Sequence, residues 1–563
     1  MCSQSVSQLN ALECHWPLPR QAEQDDVIVF RSDGFQLPLF IIPDAGGEIF
    51  FGARLTSKVH HDIPVYGLRG QALDQPPFTT VQGAASRYVS LIRSVQPIGP
   101  YRLIGWAYGG VMAYEIACQL LGLDEQVEFV GMLDSWLNEP IMDSSKNEPE
   151  DKLSELSQKA HCMLLSLVGK AQSGSSESVH PWEYNFYAEQ QLGLVPDEWS
   201  GCDYRNWLIQ RECLLEAEYH APVLPIYIDL LVVQDILQDI REDVAYHHWD
   251  RVLSRRKIRR STIHRSSAQL FEHDGMKMVA QFISRIIENS SGIEMHPDSL
   301  RLFDYKPVVK LQQSSSPTAT IICIPGAGDS IFRFMDLVDL IPSEWRVCGL
   351  QPRGFLEGSV PHSSVEAVAK FYLEALQLEA SAKPVYLLGH SFGGWVAFEM
   401  AAQLEQRDCC IDALILADSD APVTAKKERS ELSALMSFIR LFEKQSQSLG
   451  LIEHELSMIS HRERLIRLHY ALIHQKLMPV GSRLKDLEQI FRLYSANIRT
   501  QYYPTFIPSV KTHLIVDHHN NELQKAGWQS VQPEINCTMS TGNHMTLLKQ
   551  PHVQSLADLI CDL

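Results

Sequence analysis

The sequence predicts two tandem α/β domains, in each of which a mostly parallel sheet is flanked by helices. Its length of 563 residues exceeds that of one ordinary domain. Short apolar segments that are typical of buried strands alternate with amphipathic segments that are typical of helices. The same order of motifs also occurs twice along the chain. This internal repeat indicates duplication of one domain.

The first copy is predicted to cover residues 27–287, after a polar leader at residues 1–26. Its short apolar runs are bounded by Gly, Pro and Asp, which favours strands that end in tight loops. The predicted elements are, in order, strands at 27–30 and 37–42, a loop at 43–47, a strand at 64–70, a helix at 84–95, and a strand and turn at 101–110.

The second copy is predicted to cover residues 313–563 and repeats that order with segments at 320–328, 347–354 and 386–394. The helices that follow the last of these segments align without gaps, residues 113–117 with residues 397–401. A linker at 288–312 is expected between the copies, because Ser, Asn and Gly cluster around it.

Each copy also carries a less regular helical insert, at about 138–222 and 422–508. In the second insert, residues 431–446 and 462–475 are the clearest helices. An insert at this place in the chain is expected to lie over the centre of the domain as a lid. An insert with only a structural role is an equal alternative.

Composition excludes several classes of protein. A net charge of −19 argues against non-specific binding of nucleic acid. The sequence has no apolar segment of roughly 18 residues and no secretory signal, so we expect no membrane span. Its 12 scattered cysteines fit a reducing cytoplasm. No histidine spacing suggests a metal site, and the pairs at 247–248 and 518–519 are interpreted as surface residues.

The strongest motif is Gly389-His390-Ser391-Phe392-Gly393, which lies between a predicted strand at 384–388 and a predicted helix at 395–404. Strand, G-x-S-x-G and helix together form the nucleophile elbow of an α/β-hydrolase. The glycines leave room for a sharp turn that raises the Ser391 hydroxyl above the edge of the sheet. Ser391 is therefore the candidate nucleophile, and the fold class becomes two tandem α/β-hydrolase domains.

A serine nucleophile needs a base and an acid, which follow it in the order acid, then histidine, in this fold. His544 lies in a Gly-Asn-His loop near the C-terminus and is the candidate base. Two carboxylates end predicted strands, Asp418 and Asp517. Asp418 is favoured because the first copy has Asp134 at the same distance from its own elbow.

The oxyanion hole is expected to use two backbone N–H groups. One belongs to Phe392, the residue after the nucleophile. The other comes from the loop after the first strand of the second copy, where Gly326 and Ala327 both remain candidates.

The first copy lacks this set of residues. Its elbow has Ala107 in place of the serine. A gap-free alignment of the last helices puts Ser267 in the place of His544, and His264 lies three residues away. Only Asp134 remains, so we interpret residues 27–287 as a catalytically degenerate copy. Loss at two positions favours evolutionary decay over one engineered change.

A basic segment, residues 251–260, carries six cationic side chains in an acidic chain. It is a candidate surface for a phosphate or an acidic carrier protein. An ordinary solvated face is the alternative.

The second copy resembles the thioesterase domains of non-ribosomal peptide and polyketide synthesis. The segments that carry this resemblance are CIPGAGDSIFRF (323–334), GLQPRG (349–354), GHSFGGWVAFEMA (389–401), LADSDAP (416–422), GW (527–528) and GNHMTLLKQPHV (542–553). The first copy resembles the same family through IIPDAGG (41–47), GLRGQ (67–71), GWAYGG (105–110) and MLDSW (132–136).

This resemblance implies an acyl-enzyme at Ser391, formed from a thioester on the phosphopantetheine arm of a carrier protein. It also supports Asp418 as the acid, and it implies no cofactor of the domain's own. The segment 297–300 lacks the glycines of a carrier motif. If Met1 is the true start, the carrier or synthetase module is therefore expected in another chain.

Two further interpretations remain open at this stage. One is a general carboxylesterase or lipase on the same fold. The other is a carrier-docking scaffold in which the first copy binds the partner. The acyl chain, the choice between hydrolysis and cyclisation, and the oligomeric state do not follow from the sequence.

Overall fold

The computed structural model describes residues 26–47, 49, 51–72, 75–137, 199–234, 245–265, 268–291, 305–355, 359–376, 384–422, 430–443, 448–517 and 521–563. The chain divides into two compact units, one formed mainly by residues up to 296 and the other mainly by residues from 297 onward. Each unit contains one seven-stranded sheet.

The first domain has the sheet order β1-β3-β2-β4-β5-β6-β7. Strand β1 pairs antiparallel with β3, and the other neighbouring strands are parallel. The strands are β1 Val27–Arg31, β2 Leu39–Ile42, β3 Val65–Leu68, β4 Tyr101–Trp106, β5 Val127–Leu133, β6 Ile228–Gln234 and β7 Ile258–His264. The helices are α1 Gly52–Thr56, α2 Val81–Val95, α3 Tyr108–Gly122, α4 Gly201–Glu216 and α5 His273–Ser291.

The second domain repeats this topology, with the order β8-β10-β9-β11-β12-β13-β14 and β8 as its antiparallel edge strand. Its strands are β8 Val308–Gln312, β9 Thr320–Ile324, β10 Arg346–Leu350, β11 Val385–His390, β12 Ala413–Ala417, β13 Thr512–Asp517 and β14 Asn536–Ser540. Its helices are α6 Met335–Val338, α7 Val365–Leu376, α8 Phe392–Glu405, α9 Glu431–Glu443, α10 Glu453–Ser457, α11 His461–His474, α12 Leu484–Arg499, α13 Asn521–Val531 and α14 Gln554–Cys561.

The central strands are apolar along their whole length because helices cover both faces of the sheet. Strand β12 is buried at every position. Successive side chains of a strand point to opposite faces, so Leu387 joins the core that includes Trp395, whereas Leu388 joins the core that includes Leu556. The predicted fold class of two α/β domains with mostly parallel sheets is confirmed.

The predicted linker at 288–312 differs from the structure at both of its ends. Helix α5 continues to Ser291, and β8 occupies Val308–Gln312 as a strand of the second sheet. All residues of β8 except Lys310 are half-buried, as expected of an edge strand, and this five-residue strand is too short to stand out beside the Ser-rich segment that follows it. Residues 292–304 lie outside the described residues.

Both inserts are helical where they are described. Helix α4 belongs to the first, and α9 to α12 form the second with an apolar core of its own. Among the helices of the described ranges, none combines the length and the apolar character that a membrane span requires.

Candidate active site

Ser391 lies at a sharp turn between β11 and α8. Its backbone has φ 53° and ψ −122°, which is an unfavourable conformation for a residue with a side chain. The N–H of Ser391 donates to the carbonyl of Ala417 at 2.9 Å. A Cβ on Gly389 would lie 2.2 Å from the carbonyl oxygen of Gly393, so only glycine permits this turn. The predicted elbow is therefore present, with Ser391 half-buried at its tip.

His544 lies in the loop after β14 and contacts the carboxylate that ends β12. The distance from His544 Nδ1 to Asp418 Oδ2 is 2.6 Å. Asp418 is 4% exposed and has φ 46°, and its N–H donates to the carbonyl of Ile515 at 2.7 Å. The structure thus pairs His544 with Asp418, the carboxylate that the sequence favoured over Asp517. Their catalytic roles remain a prediction.

The pKa of Asp418 reflects two opposing effects. Burial raises the pKa of the carboxyl, but the hydrogen bond and the charge of His544 outweigh burial, so the pKa lies below its ordinary value. Asp418 is therefore ionised at neutral pH. An ionised carboxylate holds Nδ1 of the imidazole as the donor, which leaves Nε2 free to accept a proton.

The loop after β9 lies beside the nucleophile. A Cβ built on Gly326 would be 3.2 Å from the Cβ of Ser391. The N–H of Gly328 donates to Asn497 at 3.3 Å and is thus already used. Phe392 is the first residue of α8, so its N–H has no acceptor within the helix. These positions fit the predicted oxyanion hole, and the choice between Gly326 and Ala327 stays open.

The second insert lies directly on this loop. Gly328 has φ 67°, and a Cβ there would be 2.7 Å from the Cβ of Tyr494 on α12. Ala327 packs against the apolar core of the insert, which includes Phe438 and Phe491. The insert therefore covers the predicted oxyanion loop, which is the position that the lid interpretation requires.

The first domain keeps the backbone of this elbow and its aspartate but has no hydroxyl at the tip. Ala107 has φ 48°, and its N–H donates to the carbonyl of Leu133 at 2.9 Å. Asp134 has φ 47° and is 8% exposed. His264 is an exposed residue at the end of β7, whereas Ser267 lies outside the described residues. The elbow thus persists with the methyl side chain of alanine in place of the hydroxymethyl side chain of serine.

The interpretation of His247 as a surface residue was wrong. It is 1% exposed and stacks on Trp136, with ring centroids 3.8 Å apart. Its Nε2 lies 3.8 Å from Asp134 Oδ1, and burial lowers the pKa of the imidazole to about 4. His247 and His248 both have positive φ, a backbone conformation that the sequence did not predict for two histidines. His518 lies outside the described residues.

A third loss in the first domain was not recognised from the sequence. A Cβ on Gly109 would contact the carbonyl oxygen of Pro43, and a Cβ on Gly393 would contact that of Pro325. Pro43 and Pro325 are therefore equivalent, and the residue after Pro43, Asp44, occupies the position of Gly326. Asp44 Oδ1 accepts a hydrogen bond from the N–H of Gly46 at 2.9 Å. A carboxylate here opposes the formation of a second negative charge on a substrate oxygen.

Helix α4 covers the degenerate elbow. Trp207 Nε1 donates to the carbonyl of Gly46 at 2.6 Å, and the Tyr108 hydroxyl donates to the carbonyl of Leu214 at 2.6 Å. Tyr108 follows Ala107 as Phe392 follows Ser391. The first insert therefore contacts the same two parts of its domain, the elbow and the loop after the first parallel strand.

Most of the basic side chains at 251–260 have partners within the first domain, and Arg260, for example, lies over the ring of Tyr246. Arg255 pairs with Asp250 at 3.0 Å, Arg259 pairs with Asp229 at 2.6 Å, and Lys257 Nζ donates to the carbonyl of Leu224 at 3.1 Å. These contacts favour the alternative of an ordinary charged face over a dedicated anion site.

Comparison with known proteins agrees with this geometry. The thioesterase domain family matches residues 37–173 and 319–562. These ranges cover more than half of the chain and fall on both domains, so the chain belongs to the thioesterase domain family.

Curated relatives include synthetases for peptides and other metabolites. The chain is 35% identical over 136 residues to a dimodular nonribosomal peptide synthase of Bacillus subtilis, a match of 23% of this chain and 6% of that protein. It is 38% identical over 116 residues to a nonribosomal peptide synthetase of Aspergillus terreus, covering 20% of this chain and 12% of that protein. The matches thus span a small part of these relatives.

Solved structures that match the chain include the Vlm2 thioesterase domain, at 20% identity and a TM-score of 0.35 over 45% of this chain and 96% of that one. The type II thioesterase BorB of the borrelidin cluster matches at 16% identity and a TM-score of 0.34, over 46% of this chain and 97% of that one.

Proposed function

We propose that the second domain is a serine thioesterase that removes acyl or peptidyl chains from the phosphopantetheine arm of a carrier protein. The observation that carries this proposal is the 2.6 Å contact between His544 Nδ1 and Asp418 Oδ2 beside an elbow serine. An ionised acid that orients an imidazole, and a serine on a strained turn, together form the arrangement that activates a hydroxyl for acyl transfer.

In the first step, the Ser391 hydroxyl attacks the thioester carbonyl and its proton passes to Nε2 of His544. Asp418 stabilises the imidazolium that forms and does not itself take the proton. The C–S bond then breaks, and His544 returns the proton to the departing thiolate of the pantetheine arm. The acyl group is left as an ester on Ser391.

The negative charge that develops on the substrate oxygen needs donors that are already in place. The N–H of Phe392 supplies one, and its position at the start of α8 adds the positive end of the helix dipole. The loop of Gly326 and Ala327 supplies the second. Two uncharged backbone donors stabilise an oxyanion without needing a metal ion or a cofactor in the site.

In the second step, water or an internal nucleophile of the chain attacks the ester. His544 accepts a proton from that nucleophile and passes it to Ser391 as the ester bond breaks. Water releases a free acid, whereas an amine or hydroxyl of the bound chain closes a ring. The helical insert over the oxyanion loop lies where it can limit the access of water.

Membership of the thioesterase family supports a thioester as the bond that is broken. The partner is inferred from the relatives, which are named as peptide synthetases. We therefore propose a carrier protein or synthetase module as the partner. The first domain is proposed to be non-catalytic, because Ala107 and Asp44 replace a nucleophile and a neutral oxyanion loop.

The test is mass spectrometry of a carrier protein loaded with an acyl chain and incubated with the full-length protein. The wild type is expected to remove the acyl group, and Ser391→Ala is expected to lower the rate by at least about 10⁴-fold. Brief incubation of the wild type should also yield a tryptic peptide that carries the acyl group on Ser391.

Two results would overturn this proposal. A carrier that stays loaded while simple aryl esters are cleaved would make the protein a general esterase. A loaded carrier that binds the protein tightly without losing its acyl group would support the scaffold alternative. Circular dichroism and thermal melting of Ser391→Ala establish that a lost activity is not a lost fold.

A further inference from the structure

Two consecutive backbone carbonyls in the loop of the predicted base are held by side chains from other parts of the domain. The carbonyl of His544 is 3.0 Å from Nε2 of His390, and the carbonyl of Met545 accepts from Arg333 at 3.1 Å. A carbonyl oxygen can only accept, so Nε2 of His390 carries the proton. His390 is 2% exposed and directly precedes Ser391.

His390 stays a neutral donor in this position. Burial lowers the pKa of its imidazole well below the ordinary value, and the neighbouring charges of His544 and Arg333 lower it further. The ring of His390 lies 5.0 Å from the ring of His544, centroid to centroid. A second charge at this distance from an imidazolium would disfavour proton transfer to His544.

Arg333 connects the same loop to the predicted oxyanion loop. Its guanidinium also forms an ion pair with Asp329, which directly follows Gly328. A Cβ on Gly326 would lie 3.2 Å from Nδ1 of His390, so His390 also lies beside the predicted oxyanion loop. The loop of His544 is thus tied to the elbow through His390 and to the oxyanion loop through Arg333.

The degenerate domain shows that the fold does not require these polar contacts. Trp106 precedes Ala107 and takes the place of His390. Ile49 contacts Gly67 in the first domain, and Ile331 makes the equivalent contact with Gly349 in the second. Phe51 lies two residues after Ile49, and Arg333 lies two residues after Ile331, so Phe51 takes the place of Arg333.

In the first domain, these two aromatic side chains pack around a third. The ring of Phe271 lies 5.0 Å from that of Trp106 and 5.7 Å from that of Phe51, between centroids. An aromatic cluster therefore replaces the polar contacts in the copy that lost its nucleophile, while the sheet and elbow persist.

We propose that His390 and Arg333 are positioning residues that fix the backbone of His544 relative to Ser391 and to the oxyanion loop. This inference rests on the proposed serine mechanism. Both residues act through His544 and need not touch the substrate. Their loss is expected to lower the rate of acylation without changing the affinity for the carrier, because the geometry of proton transfer changes and the docking surface does not.

The experiment compares His390→Leu with His390→Gln in the full-length protein. Leucine fills the space but leaves the buried carbonyl of His544 without its donor, so kcat is expected to fall by about 10- to 100-fold with KM unchanged. The amide of glutamine reaches the same carbonyl and should restore most of kcat. Arg333→Met is expected to lower kcat about 10-fold, again with KM unchanged.

Trp106→Leu is the matched control, since it changes the equivalent residue of the first domain, and it should leave kcat unchanged. The rate at which a fluorophosphonate labels Ser391 provides a second measurement that needs no carrier. It should fall in His390→Leu and recover in His390→Gln.

The proposal is overturned if His390→Leu keeps the wild-type kcat, or if the Gln variant is as slow as the Leu variant. A His390→Leu protein that fails to fold also counts against it, because His390 would then be a structural residue. Activity that survives in Ser391→Ala would instead reject the serine mechanism, which keeps the two failures distinct.

Discussion

The two elbows of this chain have almost the same backbone but different chemistry. The residue at the tip has φ 48° in the first domain and 53° in the second, and the aspartates that follow have φ 47° and 46°. The second domain has a hydroxyl at the tip and an imidazole 2.6 Å from the aspartate, whereas the first has Ala107 at the tip, and His247 lies 3.8 Å from Asp134. Backbone strain at an elbow therefore persists without a nucleophile, because the surrounding glycines and the sheet enforce it.

Several side-chain contacts are also the same in both domains, and these identify what the fold needs. In each, a glutamate of the helix after the elbow accepts hydrogen bonds from a glutamine one turn later and from a tyrosine near the end of the insert. A tryptophan indole donates to the backbone carbonyl of the serine that follows the aspartate. The first set is Glu115, Gln119, Tyr219, Trp249 and Ser135, and the second is Glu399, Gln403, Tyr502, Trp528 and Ser419.

The positions that differ surround the reacting atoms. Ala107, Asp44 and Trp106 replace Ser391, Gly326 and His390. Comparison of the two copies thus distinguishes residues that the fold needs from residues that the proposed chemistry needs. Contacts that both copies keep stabilise the sheet and helices, whereas contacts that only the second copy has serve the proposed chemistry.

The largest effect on this comparison is expected from Asp418→Asn. An asparagine cannot hold the imidazole of His544 in the tautomer that accepts the serine proton, so kcat should fall by about 10⁴-fold. Asp134→Asn is the matched change in the first domain and should leave kcat unchanged. Steady-state kinetics on an acyl-loaded carrier measure both. Equal losses in the two variants would contradict the assignment of the first domain as non-catalytic.

A smaller effect is expected from Gly328→Ala. Its φ of 67° disfavours any side chain, and the new Cβ would lie 2.7 Å from the Cβ of Tyr494 and 3.1 Å from its Cα. The oxyanion loop and the insert must therefore separate, which should reduce both the melting temperature and kcat.

Gly450→Ala isolates the backbone contribution to that effect. Gly450 has φ 68°, but no described atom lies within 4 Å of a Cβ there. We expect it to cost about 1–2 kcal/mol of stability, the backbone contribution alone, with kcat unchanged. If the two variants have the same stability and the same kcat, the loop and the insert are not in the close contact described above.

No effect is expected from Ala107→Ser, although it restores the G-x-S-x-G pattern of the first elbow. The carboxylate of Asp44 would still oppose a negative charge in the oxyanion loop. The imidazole of His247 is 3.8 Å from Asp134, which is too far for a hydrogen bond. The measurement is fluorophosphonate labelling in an Ala107→Ser, Ser391→Ala protein. Labelling at position 107 would show that the first domain retains a working base.

Much of the fold was predictable because its signals are local. The elbow of Ser391, helices α9 and α11 of the second insert and the alternation of strands and helices each depend on a short segment. Because the domains are repeats, each strand or helix predicted in one domain also supported the equivalent element in the other. Strand β8 was not predicted, since a five-residue edge strand next to a Ser-rich segment gives only a weak local signal.

The sequence by itself thus determined the two α/β domains, the thioesterase family and the candidates Ser391 and His544. The tertiary structure decided which residues surround them. It joined His544 to Asp418, buried His247, placed Gly326 beside Ser391 and brought Arg333 to the loop of the base. These contacts join residues far apart in the chain, so their geometry depends on how strands and loops pack, and no local pattern encodes it.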